Sequence, residues 1–144
     1  MPTVQSTYAD NISAGYAGAI ANEEPCVLIS RNVEDSGGIA FGLAVMQGTE
    51  DKACVVSDGS AFLGVTVRTQ SIEDGTVDEF AYQETARIAT KGVIWIANSG
   101  GVAAGDTVEM LADGALGSAT LTSIAGARWD TTAIDGELAQ LRLG

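Results

Sequence analysis

The stretch "TKGVIWIANSGGVAAGDTVEM", Thr90 to Met110, decides the fold. It begins as an apolar run, Gly92-Val93-Ile94-Trp95-Ile96-Ala97. It breaks at Asn98-Ser99-Gly100-Gly101 and passes Gly105-Asp106 into a second run. Glycines in such a place either cradle a phosphate or turn the chain. A phosphate loop needs Gly-x-x-x-x-Gly-Lys-Ser/Thr after a strand, followed by a helix whose N-terminus faces the anion. No lysine follows Gly101 or Gly105, and "DTVEML" at 106–111 reads as another strand. The dinucleotide pattern Gly-x-Gly-x-x-Gly is missing too, and "GGIAFG" at 37–42 does not supply it. The glycines punctuate a turn between strands.

The same reading extends outward from Cys26. "CVLIS", "IAFGLAVM", "ACVVS", "FLGVTVRT", "TARIAT", "GVIWIA", "TVEML", "SATLTS" and "ELAQLRL" are short runs rich in β-branched and aromatic residues. Alternation is clearest where Leu63, Val65 and Val67 oppose Thr66 and Arg68, and where Ala139, Leu141 and Leu143 oppose Gln140 and Arg142. Between the runs stand Asp58-Gly59, Asp74-Gly75, Asp113-Gly114 and Asp135-Gly136, pairs suited to tight reversals because glycine takes positive φ without steric cost. No segment offers a long helix; "SIEDGTVDEFAYQET" holds one turn at most. The expected fold is all-β: a small antiparallel β-sandwich or barrel-like body with an extended N-terminal arm.

The arm is assigned to residues 1–25 and the body to residues 26–144. "MPTVQSTYADNISAGYAGAIANEEP" is rich in small residues and ends at Pro25. Its larger apolar side chains, Tyr8, Ile12, Tyr16 and Ile20, recur four apart, a spacing that permits a helical stripe. Gly15 and Gly18 oppose a helix, each costing about 1 kcal/mol in its interior. An extended arm whose apolar residues anchor on something else is the preferred reading.

Composition limits the partners. The chain has 144 residues, enough for one domain with a proper core, and its 46% hydrophobic content opposes wholesale disorder. Nineteen acidic residues against seven basic ones give a net charge of −12. Nucleic acid and anionic membranes would be repelled by most of such a surface, whereas a basic protein partner would be attracted. The N-terminus has neither a basic segment nor an apolar core of a secretory leader, so synthesis in the cytoplasm is expected. Cys26 and Cys54 lie in apolar runs and are read as small buried hydrophobes rather than a disulfide.

Catalytic chemistry is poorly supplied. The chain contains no histidine, which removes the commonest general base and transition-metal ligand. Two isolated cysteines cannot complete a zinc site, and neither a Gly-x-Ser-x-Gly elbow nor a Ser-x-x-Lys pair is present. Paired carboxylates such as Glu34-Asp35 and Glu50-Asp51 sit in polar connections and are read as solvated, although a glycosidase would use two facing acids. "EDGTVDE" lacks the calcium-loop pattern. No enzyme, cofactor or metal is expected. Trp95 belongs with a core, among Val93, Ile94 and Ile96. Trp129 flanks a loop in "GARWDTT" and joins Tyr8, Ile12, Tyr16 and Ile20 as a candidate contact residue.

The order of these features resembles the small capsid cement, or decoration, proteins of tailed bacteriophages. The likeness runs through "AGYAGAIAN" at 14–22, "VLISRNVEDSGGIAFGLAV" at 27–45, "FLGVTVRT" at 62–69, "KGVIWIANSGGVAAGDTV" at 91–108 and "GARWDTTAIDGELAQLRL" at 126–143. The resemblance implies a non-catalytic virion protein on the outside of the assembled capsid. It also implies a homotrimer that binds the major capsid protein and holds neighbouring capsomers together. The alternative is a carbohydrate- or receptor-binding β module displayed on a phage particle, which an exposed Trp129 would favour. A carboxylate hydrolase is a third reading and needs two acids converging in a cleft.

Overall fold

The computed structural model describes residues 15–69, 78–118 and 122–144, and among them there is no helix. The strands are β1 (Val27–Val33), β2 (Ile39–Ala40), β3 (Ala44–Gln47), β4 (Ala53–Val56), β5 (Gly64–Thr66) and β6 (Glu79–Phe80). They continue with β7 (Thr85–Ala97), β8 (Thr107–Met110), β9 (Leu116–Gly117), β10 (Thr122–Trp129) and β11 (Leu138–Leu143). The all-β expectation holds, in its barrel-like form. Strands pair in the order β1-β4-β3-β5-β7-β11-β10-β8-β9, and β1 also pairs with β7. That extra pairing closes β1, β4, β3, β5 and β7 into a small barrel, while β11, β10, β8 and β9 extend from β7 as an open sheet and β2 pairs separately with β6. One pair in the barrel, β1 with β4, is parallel; the other pairings among the named strands are antiparallel.

β7 joins the two parts. The runs "TARIAT" and "GVIWIA" form one 13-residue strand. Its first half pairs with β1, from Asn32↔Thr85 to Val27↔Lys91. Its second half pairs with β11, from Leu143↔Gly92 to Leu138↔Ala97. The changeover falls at Gly92, whose φ is 130° and where a Cβ would lie 2.7 Å from the Cβ of Cys26. Only glycine suits that crossing.

Burial alternates along the wall that both parts share. Val45 and Ile88 belong to one core, with Val33, Ile39, Phe41, Cys54 and Phe80, while their neighbours Ala44 and Ala89 belong to another. The second core gathers Val65, Val67, Ile94, Ile96, Val108, Met110, Trp129 and Leu141 between the barrel wall and the open sheet. Successive side chains of a strand point to opposite faces, so a wall buried on both sides reads as continuous apolar sequence. Ala139, Leu141 and Leu143 are buried as their alternation predicts. "LGVTVR" behaves less simply. Val65 and Val67 enter the second core and Leu63 packs on the first, while Thr66 on the opposite side is also fully buried. Its hydroxyl donates to the Ala40 carbonyl at 2.8 Å and accepts from the Leu43 amide at 3.0 Å, which removes the cost of burying it.

Candidate contact surface

The described part of the N-terminal segment lies on the body. Tyr16 to Ala19 form a turn closed by a 2.9 Å bond from the Ala19 amide to the Tyr16 carbonyl, with Gly18 at φ +80°. Positive φ at the third residue is what a type II turn requires. The next residues add to the free edge of β7. Gly18 N–H donates to Trp95 at 2.7 Å, Trp95 N–H to Ala19 at 2.8 Å, and Ala21 N–H to Val93 at 2.9 Å, with Ile20 opposite Ile94. A Cβ on Gly18 would meet Phe41 Cβ at 2.9 Å and the amides of Arg68 and Gly42 at 3.0 and 3.1 Å, so this approach needs glycine.

Side chains complete the attachment. The Arg68 guanidinium lies 5.0 Å from the centroid of the Tyr16 ring and 5.4 Å from that of Phe41, and it pairs with Asp78 at 2.9 Å. A cation over aromatic faces is attracted by their quadrupoles. Further along, Glu24 accepts two bonds from Arg142 of β11, at 2.6 and 3.0 Å, and Asp130 lies 2.9 Å from the same guanidinium. These carboxylates, Glu24 first, hold the Arg142 proton more tightly than usual. Trp95, only 8% exposed, is covered on this side: a Cβ added to Gly15 would approach its ring to 3.0 Å.

The structure brings two predicted contact residues together. Tyr16 is 70% and Ile20 39% exposed, and they line a shallow cleft of about 470 Å³ with Val67, Arg68 and Arg87. Tyr8 and Ile12 lie outside the described residues. Trp129 is in the core, with no exposed surface, and its indole N–H donates to the Gly117 carbonyl at 3.2 Å. The sequence places it beside a loop, but its side chain follows the inward face of β10, as Ile124 and Ala127 do. A buried indole offers nothing to stack on a sugar. Val27, Tyr82 and Ile134 are further exposed apolar residues, which neither type nor spacing marks as contacts.

The glycine turn after β7 is filled by the protein's own groups. Gly101 N–H donates to Asn98 Oδ1 and Gly100 N–H to Asp135 Oδ1, both at 2.8 Å. Asn98, 3% exposed, also donates to the carbonyls of Ile134 and Glu137 at 2.8 Å each. The amides that would cradle a phosphate are therefore spent on fastening two loops. The acidic pair Glu34-Asp35 is structural rather than merely solvated. Glu34 accepts from the Thr49 and Glu50 amides at 2.8 Å each, which hold its carboxyl below the usual range, and Asp35 accepts from the Val56 amide at 2.8 Å. Among the described residues, no three metal-binding side chains gather.

Comparison with known proteins decides what this assembly is. The sequence from residue 4 to residue 144 matches the phage family described as "Structural cement protein (E217 gp24/Pam3 gp6)". The chain belongs to the structural cement proteins of phages. A chain from "The capsid of Myoviridae Phage XM1" has a similar fold, with a TM-score of 0.69 at 15% identity over 98% of this chain and 97% of that one. A second, from "The crystal structure of head fiber gp8.5 N base in bacteriophage phi29", has a TM-score of 0.52 at 10% identity, over 83% of this chain and 95% of that one. No curated protein sequence matches significantly. Membership makes this a structural capsid protein, in a family that is not one of enzymes.

Within this cement protein the reading of one cysteine holds and that of the other changes. Cys54 is buried as expected, and burial pushes its thiol pKa up to about 11, with Arg31 opposing the shift. Cys26 is exposed, because it precedes β1 and rests against Gly92 on the outside of the strand crossing. Gly18, Phe41 and Arg68 come together only in the fold. Their only signal is small residues around Gly18 and an arginine on the alternate face of "LGVTVR"; nothing in the sequence joins them.

Proposed function

We propose that this protein binds the exterior of an assembled phage head as a cement protein and stabilises contacts between neighbouring capsomers. The family match over residues 4–144 carries the reading. Its partners are the major capsid protein and its own copies, arranged as a homotrimer. Three linked attachments convert individually weak contacts into durable binding. Residues 1–25 contribute the arm, with Tyr8 and Ile12 as anchors and Tyr16 and Ile20 at its seat. Residues 26–144 form the body. The acidic surface suits a basic partner and keeps free copies apart. Contacts that span two capsomers exist only while these remain neighbours, so binding opposes their separation.

The test uses particles. Shells stripped of the protein should rupture at lower temperature than decorated shells, and adding the protein back should restore the difference, saturating at a fixed number of copies. Equal rupture temperatures with and without it would leave a surface-adhesion role instead.

A further inference from the structure

We propose that Arg68 is a latch that fixes where the N-terminal segment leaves the body, and that the reaching part of the arm ends at this latch rather than at Pro25. This rests on the reading that the arm takes part in attachment.

Three kinds of contact converge on one short segment. The main chain of residues 18–21 is paired to Val93 and Trp95 of β7. The Arg68 amide donates to the Gly18 carbonyl at 2.8 Å, so the same residue holds the turn by its backbone and by its side chain. The guanidinium stands against both Tyr16, from the segment, and Phe41, from the body. Phe41 is itself fixed, 6% exposed and edge-on to Phe80 at 5.0 Å between centroids. Arg68 thus bridges a side chain of the docked segment to the buried core through one cation. Asp78 pairs with the same guanidinium at 2.9 Å.

Position is the consequence. A tether that starts at Pro25 would let its anchors sample a wide volume around the body. With residues 15–21 seated, the place at which the arm meets the body is set on the β7 edge, and binding through it has less left to fix. Pre-ordering a binding segment raises affinity without any new contact. Arg68 is a positioning residue in this scheme; it acts through Tyr16 and the turn and need not touch the shell.

The experiment combines hydrogen exchange and attachment on the full chain. In Arg68→Ala the amides of Gly18 and Ala21 should exchange about tenfold faster, the scale expected for losing two cation–π contacts and an ion pair. Amides of the β7–β11 pairing should change less than twofold. Arg68→Lys, which keeps the charge but not the planar group, should fall between. Tyr16→Leu should reproduce the local acceleration and serves if Arg68→Ala fails to fold. Attachment to stripped shells should weaken in proportion to the exchange at Gly18 and Ala21. Unchanged exchange at these amides in both variants would overturn the latch. Faster exchange with undiminished attachment would overturn its positioning role. Failure of the wild-type protein to attach at all would instead sink the proposed function, while the exchange data would still decide the latch.

Discussion

The barrel and the open sheet are built on the same strand, yet they solve different problems. In the barrel, closure through β1 and β7 pairs both edges of the first half of β7 with other strands. In the sheet, the second half of β7 has β11 on one side and would expose its other edge without residues 18–21. Unpaired edges invite pairing with other chains. One half of β7 is protected by topology, the other by a segment that can in principle be detached. Chain closure gives protection that no local substitution removes; a docked segment gives protection that depends on a few named contacts.

The largest expected effect tests whether the two parts unfold together. Trp129→Ala, in the core between wall and sheet, should cost about 3–5 kcal/mol by denaturant unfolding. Cys54 belongs to the barrel-side core and Cys26 is exposed, so a thiol reagent should label Cys26 at once and Cys54 only on opening. If Cys54 labelling in Trp129→Ala accelerates by the full factor that the lost stability predicts, the parts unfold as one. Labelling that stays at the wild-type rate would show the barrel standing without the sheet.

Gly64→Ala attacks the wall itself. A Cβ there would come within 2.5 Å of the Ala89 carbonyl oxygen and of Ile88 Cγ2, so β5 must move away from β7. Overpacking of this kind costs about 1–3 kcal/mol, seen as a lower denaturation midpoint. Gly18→Ala adds a clash with Phe41 Cβ to the strain of its left-handed conformation, about 1–2 kcal/mol. The docked segment can lift from β7, however, so the global loss should be smaller than for Gly64→Ala and confined to that segment. Protease cleavage near residue 18 should rise while the β11 amides keep their protection. A global loss equal to that of Gly64→Ala would mean that the edge segment belongs to the main cooperative unit.

The smallest effect is a pH dependence. The Glu34 carboxyl is held low by the Thr49 and Glu50 amides, so its folded pKa lies below its unfolded value. The stability it contributes is present above the unfolded value of about 4.5 and is lost as pH falls through the folded one. Glu34→Gln should lower the melting temperature near neutral pH and flatten its fall in acid. Parallel wild-type and variant curves between pH 3 and 6 would show that the 48–50 turn needs no charge.

Much of this was readable in the chain. Leu141 and Leu143 announced a strand with one buried face, and Asp113-Gly114 and Asp135-Gly136 reversals with positive φ. Which strands close the ring was not legible, because closure depends on β1 meeting β7 across the whole span from Val33 to Thr85 and leaves no local pattern. "IAFGLAVM" looked like one strand and is two, since Gly42 at φ +78° turns the chain where Gly18 packs against it. "TARIAT" and "GVIWIA" looked like two and are one, because the break at Gly92 is a change of partners and not of direction. The cleft was half visible: Tyr16 and Ile20 stood out by type and spacing, while Arg68 and Arg87 reach it only through the fold.

The pairing of residues 18–21 with β7 also has a mechanical side. Antiparallel bonds run across the strands. A pull along β7 therefore strains the bonds at Gly18, Trp95 and Ala21 together, whereas a pull away from the sheet parts them one after another. The same three bonds form a strong anchor in one direction and a zipper in another. The direction in which a load reaches Gly15 determines which of the two it meets.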